Sequence, residues 1–228
     1  MKEAAEGDIN QVYIEENTVR KIYSHISSLI LLVTLIRFTY LQLTPLSASR
    51  RIKNERKVRE KDLELNFPEI LSRNGREVRF RKINGETLDN ILENRPFETG
   101  HRMASTMKEL ESQNVYLIDY NPHNFIQAED GLYCIDAEFT EFRDTPLNRL
   151  MDRLSVITFV SLKEQETRDR FIQGFREETG SLSPATETIA GAAGIVYASI
   201  YIRDPVKLRK AAIYTFKSLK TIITRKEG

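Results

Sequence analysis

Hydrophobic and polar positions change their period several times along this chain. Between residues 9 and 23 the β-branched and aromatic runs INQVYI and TVRKIY flank the turn-forming EEN, which predicts a β-hairpin. The most apolar stretch, ISSLILLVTLIRFTYLQL at residues 26–43, predicts a helix that ends at Thr44-Pro45. Ser47 or Ser49 then caps a second helix running to about Leu65, before the stop at Asn66-Phe67-Pro68. EVRF with RKI, residues 77–83, predicts a strand or a strand pair, and Asn84-Gly85-Glu86 turns the chain into a short helix near Thr87–Leu92. Met103, Met107 and Leu110 recur at helical spacing, so residues 99–113 read as helix. Beyond Pro146 the pattern is helical to the last residue, with breaks at Gly180–Pro184 and Asp204-Pro205.

One segment inside the helical half departs from that pattern. Two short apolar runs, Val115–Ile118 and Leu132–Ile135, each lead into an aspartate, Asp119 and Asp136. Pro122 discourages a continuous helix, so Asp119 to Asn124 reads as a loop. Phe125-Ile126 opens a strand, Glu129-Asp130-Gly131 turns it, and Leu132–Ile135 returns. A hairpin of that length brings Asn124 and Asp136 close enough to share a metal ion, with Asp119 projecting beside them. Strands before residue 84 and helices after 99 predict an α+β protein of two lobes. The N-terminal lobe takes residues 1–84, with the hairpin, the apolar helix as an insertion and the second helix; the helical C-terminal lobe takes 85–228.

Acid, amide and acid at these positions suit phosphoryl transfer from ATP. Mg²⁺ is a hard cation that prefers carboxylate and amide oxygens. The reaction also needs an acceptor for the proton of the attacking hydroxyl and a cation on the phosphates.

The order D-x-x-x-x-N, short hairpin, apolar run and Ile-Asp resembles the catalytic and metal-binding loops of the protein kinase-like superfamily. The resemblance implies ATP and Mg²⁺ as cofactors, Asp119 as catalytic base, and Asn124 and Asp136 as metal ligands. Upstream, GDINQVYIEENTVRKIY resembles the glycine loop and following strands of atypical small kinases, which implies that Gly7 lies over the phosphates and Lys21 holds them. SRRIKNERKVREKDLELNFPEI resembles a helix of the small kinase of the tRNA-modifying KEOPS complex; Glu55 then pairs with Lys21, with Glu60 as the alternative. RKINGETLDNIL resembles the hinge segment, placing Ile83 beside the adenine, and Asp152 resembles the helix aspartate that steadies the catalytic loop. RIO-type kinases, lipopolysaccharide core kinases and aminoglycoside phosphotransferases belong to the same superfamily, and several vary at the D-F-G position, where this chain has Asp136-Ala137-Glu138.

Two positions depart from the family pattern. Gly7 is the only glycine ahead of the second strand, so the first strand must be short or missing. Leu117 stands two residues before Asp119, where His is usual. Glu138 either assists a metal or pairs with Arg143. His123 reads as a loop residue. The implied acceptor is a hydroxyl, on a protein Ser/Thr or, alternatively, on a sugar or lipopolysaccharide-type small molecule. A pseudokinase that docks a partner is the third reading.

Charge and composition narrow the partners. A net charge of +1 over 228 residues gives no global field for nucleic acid. Two basic runs, Arg50 to Arg59 and Lys207 to Lys226, read as solvated helix faces that also suit a polyanion or a membrane surface. In the apolar stretch only Leu29–Val33 is uninterrupted before Thr34 and Arg37, too short to span a bilayer. Residues 26–43 are instead expected to form a buried or partner-contacting helix, or to insert shallowly into a membrane. The lone Cys134 excludes an intramolecular disulfide and fits a reducing compartment. MKEAAEGD lacks an apolar signal core, so the expected location is cytoplasmic, with peripheral membrane contact through residues 26–43.

Overall fold

The computed structural model describes residues 3–5, 10–23, 47–180, 188, 206, 212, 214 and 215. Gly7 and the expected apolar helix at 26–43 lie outside the described residues, as do the break at Asp204-Pro205 and most of the second basic run. The chain divides into two compact units, Met1–Glu86 with Phe125–Thr140 and Thr87–Asn124 with Glu141–Gly228.

The first unit is built on an antiparallel sheet of five strands: β1 (Glu3–Ala5), β2 (Gln11–Ile14), β3 (Thr18–Ile22), β4 (Ile70–Asn74) and β5 (Glu77–Arg81). Their spatial order is β1-β2-β3-β5-β4. The expected hairpin is β2–β3, and the first strand is indeed short. β4 is an addition to the sequence reading. It pairs with β5 through a two-residue Gly75-Arg76 turn, with Gly75 at φ 58°, a conformation that glycine adopts without steric cost.

Register sets which side chains face inward. β3 pairs with β5 so that Lys21 lies opposite Val78 and Val19 opposite Phe80. Because successive side chains alternate, Lys21 and Tyr23 share the face of Val78 and Phe80, and Arg20 points to the other. Helix α1 (Ala48–Arg59) covers the inner face; its Ala48 and Ile52 join Tyr23, Val78 and Phe80 in the core. Ser47 caps α1 by accepting from the Arg50 amide.

The helix ends at Glu60, short of the expected Leu65, because residue 66 is required elsewhere. The Asn66 amide donates to the Leu132 carbonyl, and the Asn66 carbonyl accepts from Cys134. These bonds tie it to the hairpin of β6 (Phe125–Ala128) and β7 (Gly131–Cys134), whose register sets Phe125 opposite Cys134.

The second unit is helical: α2 (Leu88–Asn94), α3 (Pro96–Ser112), α4 (Pro146–Ser161) and α5 (Gln165–Thr179). Pro96 and Pro146 occupy first-turn positions, where a missing N–H costs nothing, and Thr145 caps α4 through the Asn148 amide. The apolar stripe of α3 (Met103, Met107, Leu110) is fully buried, as are Phe171 and Phe175 of α5. Gly100 and Gly174 let α3 and α5 meet backbone to backbone: a Cβ on either would stand 2.1 Å from the carbonyl oxygen of Phe171 or Phe97. Among the described residues no helix is long and apolar enough to cross a membrane.

Candidate active site

In the first unit, Lys21 is a buried cation ringed by three carboxylates. Its Nζ lies 3.1 Å from Glu55 Oε1, 3.0 Å from Asp136 Oδ1 and 3.1 Å from Glu138 Oε2. Each partner arrives on a different element for a local reason. β3 alternation aims Lys21 inward. On α1, Glu55 falls on the face of Ala48, Ile52 and Val58, at spacings of three and four, and the whole face is buried. Asp136 and Glu138 leave the end of β7. Glu60, the alternative partner for Lys21, is an exposed helix cap. Arg59 donates to the Glu55 carbonyl and lies 3.6 Å from Glu55 Oε2.

Burial opposes the charge on Lys21, but Asp136, Glu55 and Glu138 together outweigh it and hold its pKa well above the ordinary lysine value. Lys21, Arg51 and Arg59 balance Glu55, Asp136 and Glu138, so the cluster is neutral as a whole. Oxygens of the three carboxylates lie within 4.8 Å of one another, a grouping able to hold a metal ion, and the Lys21 ammonium sits among them. Asp136 differs from the other two acids: its side chain is 32% exposed, against 2% for Glu55 and 1% for Glu138. Ile83, the expected adenine neighbour, is half-buried after β5. Cys134 is buried one step from the cluster, and burial pushes its thiol up to about 12.

The second unit shapes the loop that carries Asp119. Val115 to Ile118 and Tyr120 are buried, and the Tyr120 hydroxyl donates to the Met103 carbonyl of α3 at 2.8 Å. Tyr116 and Glu141 exchange two backbone hydrogen bonds and fix the entry to the loop. Ile118 then adopts φ 67°, a left-handed conformation that costs a β-branched residue about 1–3 kcal/mol. Asp152 on α4 helps hold it there: its Oδ1 accepts from the Ile118 amide at 2.6 Å, and the Leu117 amide contributes too. Asp152 is fully buried and its Oδ2 has no hydrogen-bond partner. Burial pushes its carboxyl up to about 8 despite the two backbone bonds.

Both oxygens of Asp119 are oriented by side-chain amides. Asn121 Nδ2 donates to Oδ1, and Asn124 Nδ2 donates to Oδ2 at 3.2 Å and to the Asp119 carbonyl at 3.0 Å. The amide nitrogen of Asn124 is thus committed to the loop, which leaves its carbonyl oxygen as the donor suited to a hard cation. Pro122–Asn124 form the 3₁₀ turn that sets this spacing. His123 is exposed, its ring 5.5 Å from that of Phe159.

Lys21, Glu55 and Asp136 meet in the first unit, and Asp119 and Asn124 in the second. Sequence reasoning passed over Asn10, Arg51 and Asn121, and left Glu138 between a metal and Arg143. Glu138 pairs with Lys21, Arg51 and Asn10. Arg51 carried one available signal, its position one turn before Glu55 on the face shared with Ile52.

No protein-family model matches the chain, and no curated protein matches it. Its fold is similar to that of solved aminoglycoside phosphotransferase structures. The streptomycin–ATP ternary complex of APH(2")-IIa is 13% identical, with a TM-score of 0.52 over 94% of this chain and 93% of that one. The gentamicin complex of APH(2")-IIa gives the same identity and TM-score over 95% of this chain and 91% of that one. At this identity the likeness is one of fold.

Proposed function

We propose that the chain is an ATP- and Mg²⁺-dependent phosphotransferase. The observation that carries this reading is the buried Lys21, held by Glu55 and Asp136 on a kinase-like fold. Lys21 holds the α- and β-phosphates, oriented by Glu55, and Asp119 accepts the proton of the attacking hydroxyl. Asp136, through a partly exposed carboxylate, and Asn124, through its amide oxygen, are the residues that would hold magnesium in this reading, since each offers a hard oxygen. The metal supplies charge neutralisation on the phosphate oxygens. Asn121 and Asn124 keep the Asp119 carboxylate oriented, and Asp152 keeps the preceding backbone in its left-handed turn. Leu117, in place of the usual His, is fully buried and supports the loop by packing alone. Ile83 lines the adenine side and Gly7 the phosphate side, as the resemblance implies.

Two acceptors stand open from the sequence, a protein Ser/Thr and a sugar-like small molecule. The neighbour solved with streptomycin and ATP together favours the second, because streptomycin is a polyhydroxylated small molecule. The test is transfer from [γ-³²P]ATP to an aminocyclitol and sugar panel and, separately, to the chain itself and to protein substrates. Wild type is compared with Asp119→Ala and Asp136→Ala. Turnover in wild type, lost by about 10³-fold or more in both variants, is the expected result. Binding of Mg²⁺–ATP without turnover on any acceptor would overturn the enzyme and leave a nucleotide-binding module.

A further inference from the structure

Glu138 stands two residues beyond Asp136, and the chemistry above makes no use of it. Its side chain is 1% exposed and fully engaged. Oε1 accepts from Arg51 Nη1 at 3.0 Å; Oε2 accepts from Asn10 Nδ2 at 2.8 Å and faces Lys21 Nζ at 3.1 Å. Arg51 Nη1 also donates to Asn10 Oδ1 at 2.8 Å, so Asn10, Arg51 and Glu138 close a ring. Asn54 adds a bond from its amide nitrogen to the Glu138 carbonyl at 3.2 Å. Arg51 is itself 0% exposed and lies over the Tyr23 ring, 5.3 Å from its centroid.

A second carboxylate beside a metal-binding aspartate has two chemical options: to ligate the metal as well, or to hold a cation of the protein. The donors decide between them. Three buried nitrogens, two of them cationic, already occupy both oxygens of Glu138. Turning Oε1 to a metal would take a carboxylate oxygen from buried Arg51, and turning Oε2 would take one from Lys21 and from the Asn10 amide, an unfavourable exchange in a buried cluster. Asp136 differs in being 32% exposed, and it meets Lys21 through Oδ1.

We propose that Glu138 is a positioning residue for Lys21, locked by Arg51 and Asn10, and that it does not ligate magnesium. This inference rests on the phosphotransferase reading. With Glu55 on one side and Glu138 on the other, Lys21 keeps two buried anions and does not depend on Asp136. Of the two acids in this turn, Asp136 is then the one that the phosphotransferase reading gives to the metal. The same ring ties α1, through Arg51 and Asn54, to the Asp136–Glu138 turn, and so fixes the helix that carries Glu55 beside Lys21.

The test compares Glu138→Gln, Arg51→Met and the double variant in steady state, varying ATP and Mg²⁺ separately, with ATP affinity measured by calorimetry. Each single variant is expected to raise KM and Kd for ATP by about tenfold or more, with a smaller loss in kcat and a magnesium half-saturation within about twofold of wild type. Arg51 cannot bind a metal, so a shared defect that does not add in the double variant marks positioning. Arg51→Lys, which keeps the charge, restores part of the ATP affinity. A rise of about tenfold or more in the magnesium requirement of Glu138→Gln alone would overturn the inference, as would additive effects. Circular dichroism reports whether each variant folds. Should Glu138→Gln not fold, Arg51→Lys and Asn10→Ser carry the comparison, and unchanged ATP affinity in both overturns it. A wild type that binds no Mg²⁺–ATP overturns the phosphotransferase reading and this one together; a wild type that turns over while the variants behave as metal-ligand losses overturns this one alone.

Discussion

Replacing Asp152 by asparagine should stabilise the protein at alkaline pH and flatten its pH dependence. The carboxyl is fully buried, has one oxygen without a partner, and is pushed from 3.8 up to about 8. Folding therefore takes up a proton on Asp152 throughout the interval between those values. The stability linked to that proton is fully present below about pH 4 and is lost as pH rises through about 8. At about 1.4 kcal/mol per unit, a shift of roughly four units amounts to on the order of 6 kcal/mol across the window. Asparagine has nearly the same shape, carries no charge to desolvate, and keeps a carbonyl oxygen to accept from the Ile118 amide. At pH 5 the variant should be more stable than wild type by about 1.5–2 kcal/mol, and at pH 9 by several kcal/mol more than that. The assay is urea unfolding followed by circular dichroism at pH 5 to 9, taken as variant minus wild type so that other titrations cancel. Parallel curves, or an asparagine variant less stable at pH 9, would refute the reasoning. Asp152→Ala is the control: it orphans the Ile118 amide and should destabilise at every pH, by about 1–3 kcal/mol for the lost bond with a cavity cost added.

Gly100→Ala and Gly174→Ala each place a methyl 2.1 Å from a backbone carbonyl oxygen that cannot move without its helix. The gain of about 1 kcal/mol in helix propensity is smaller than an overpacking cost near the top of the ~1–3 kcal/mol range, so each should lower stability by about 2 kcal/mol and Tm by about 4–8 °C in a thermal melt. The double variant should cost less than the sum, because one methyl already parts α3 from α5. Cys134, buried and with its thiol pushed up to about 12, should react with a disulfide reagent at pH 8 only after unfolding; fast labelling of the native protein would contradict its placement.

Period and punctuation made most elements legible. The β2–β3 hairpin, the hairpin after Asn124 and the long helices follow from alternation, helical spacing and Pro122, Pro146 or Gly131 at their ends. β4 went unread although Asn74-Gly75 is a strong hairpin signal, because ILSRN has little alternation and four of its five residues are exposed. The length of α1 was overread because nothing within residues 60–65 reveals that Asn66 must bond to Leu132 and Cys134. In the site, Glu55 carried a local mark, an acid on a face otherwise formed by Ala48, Ile52 and Val58. Asp152 carried the same mark, standing in line with Val156 and Val160 on α4. The left-handed turn at Ile118 carried none, since a β-branched residue is the last to suggest it.

What the sequence by itself determined is the order of chemical groups: a lysine on a strand, a glutamate on a helix, then Asp, Asn and Asp around a proline turn and a hairpin. Spacing along the chain is enough for this, because local periodicity decides which residues share a face. Only the tertiary structure decided how the charges are divided. Arg51 reads as one more cation in a basic run, and Glu138 as a metal helper or a partner of Arg143, until the fold buries both. Burial makes an unpaired charge costly, so the partners must be found across 87 residues of chain, where no local pattern reaches.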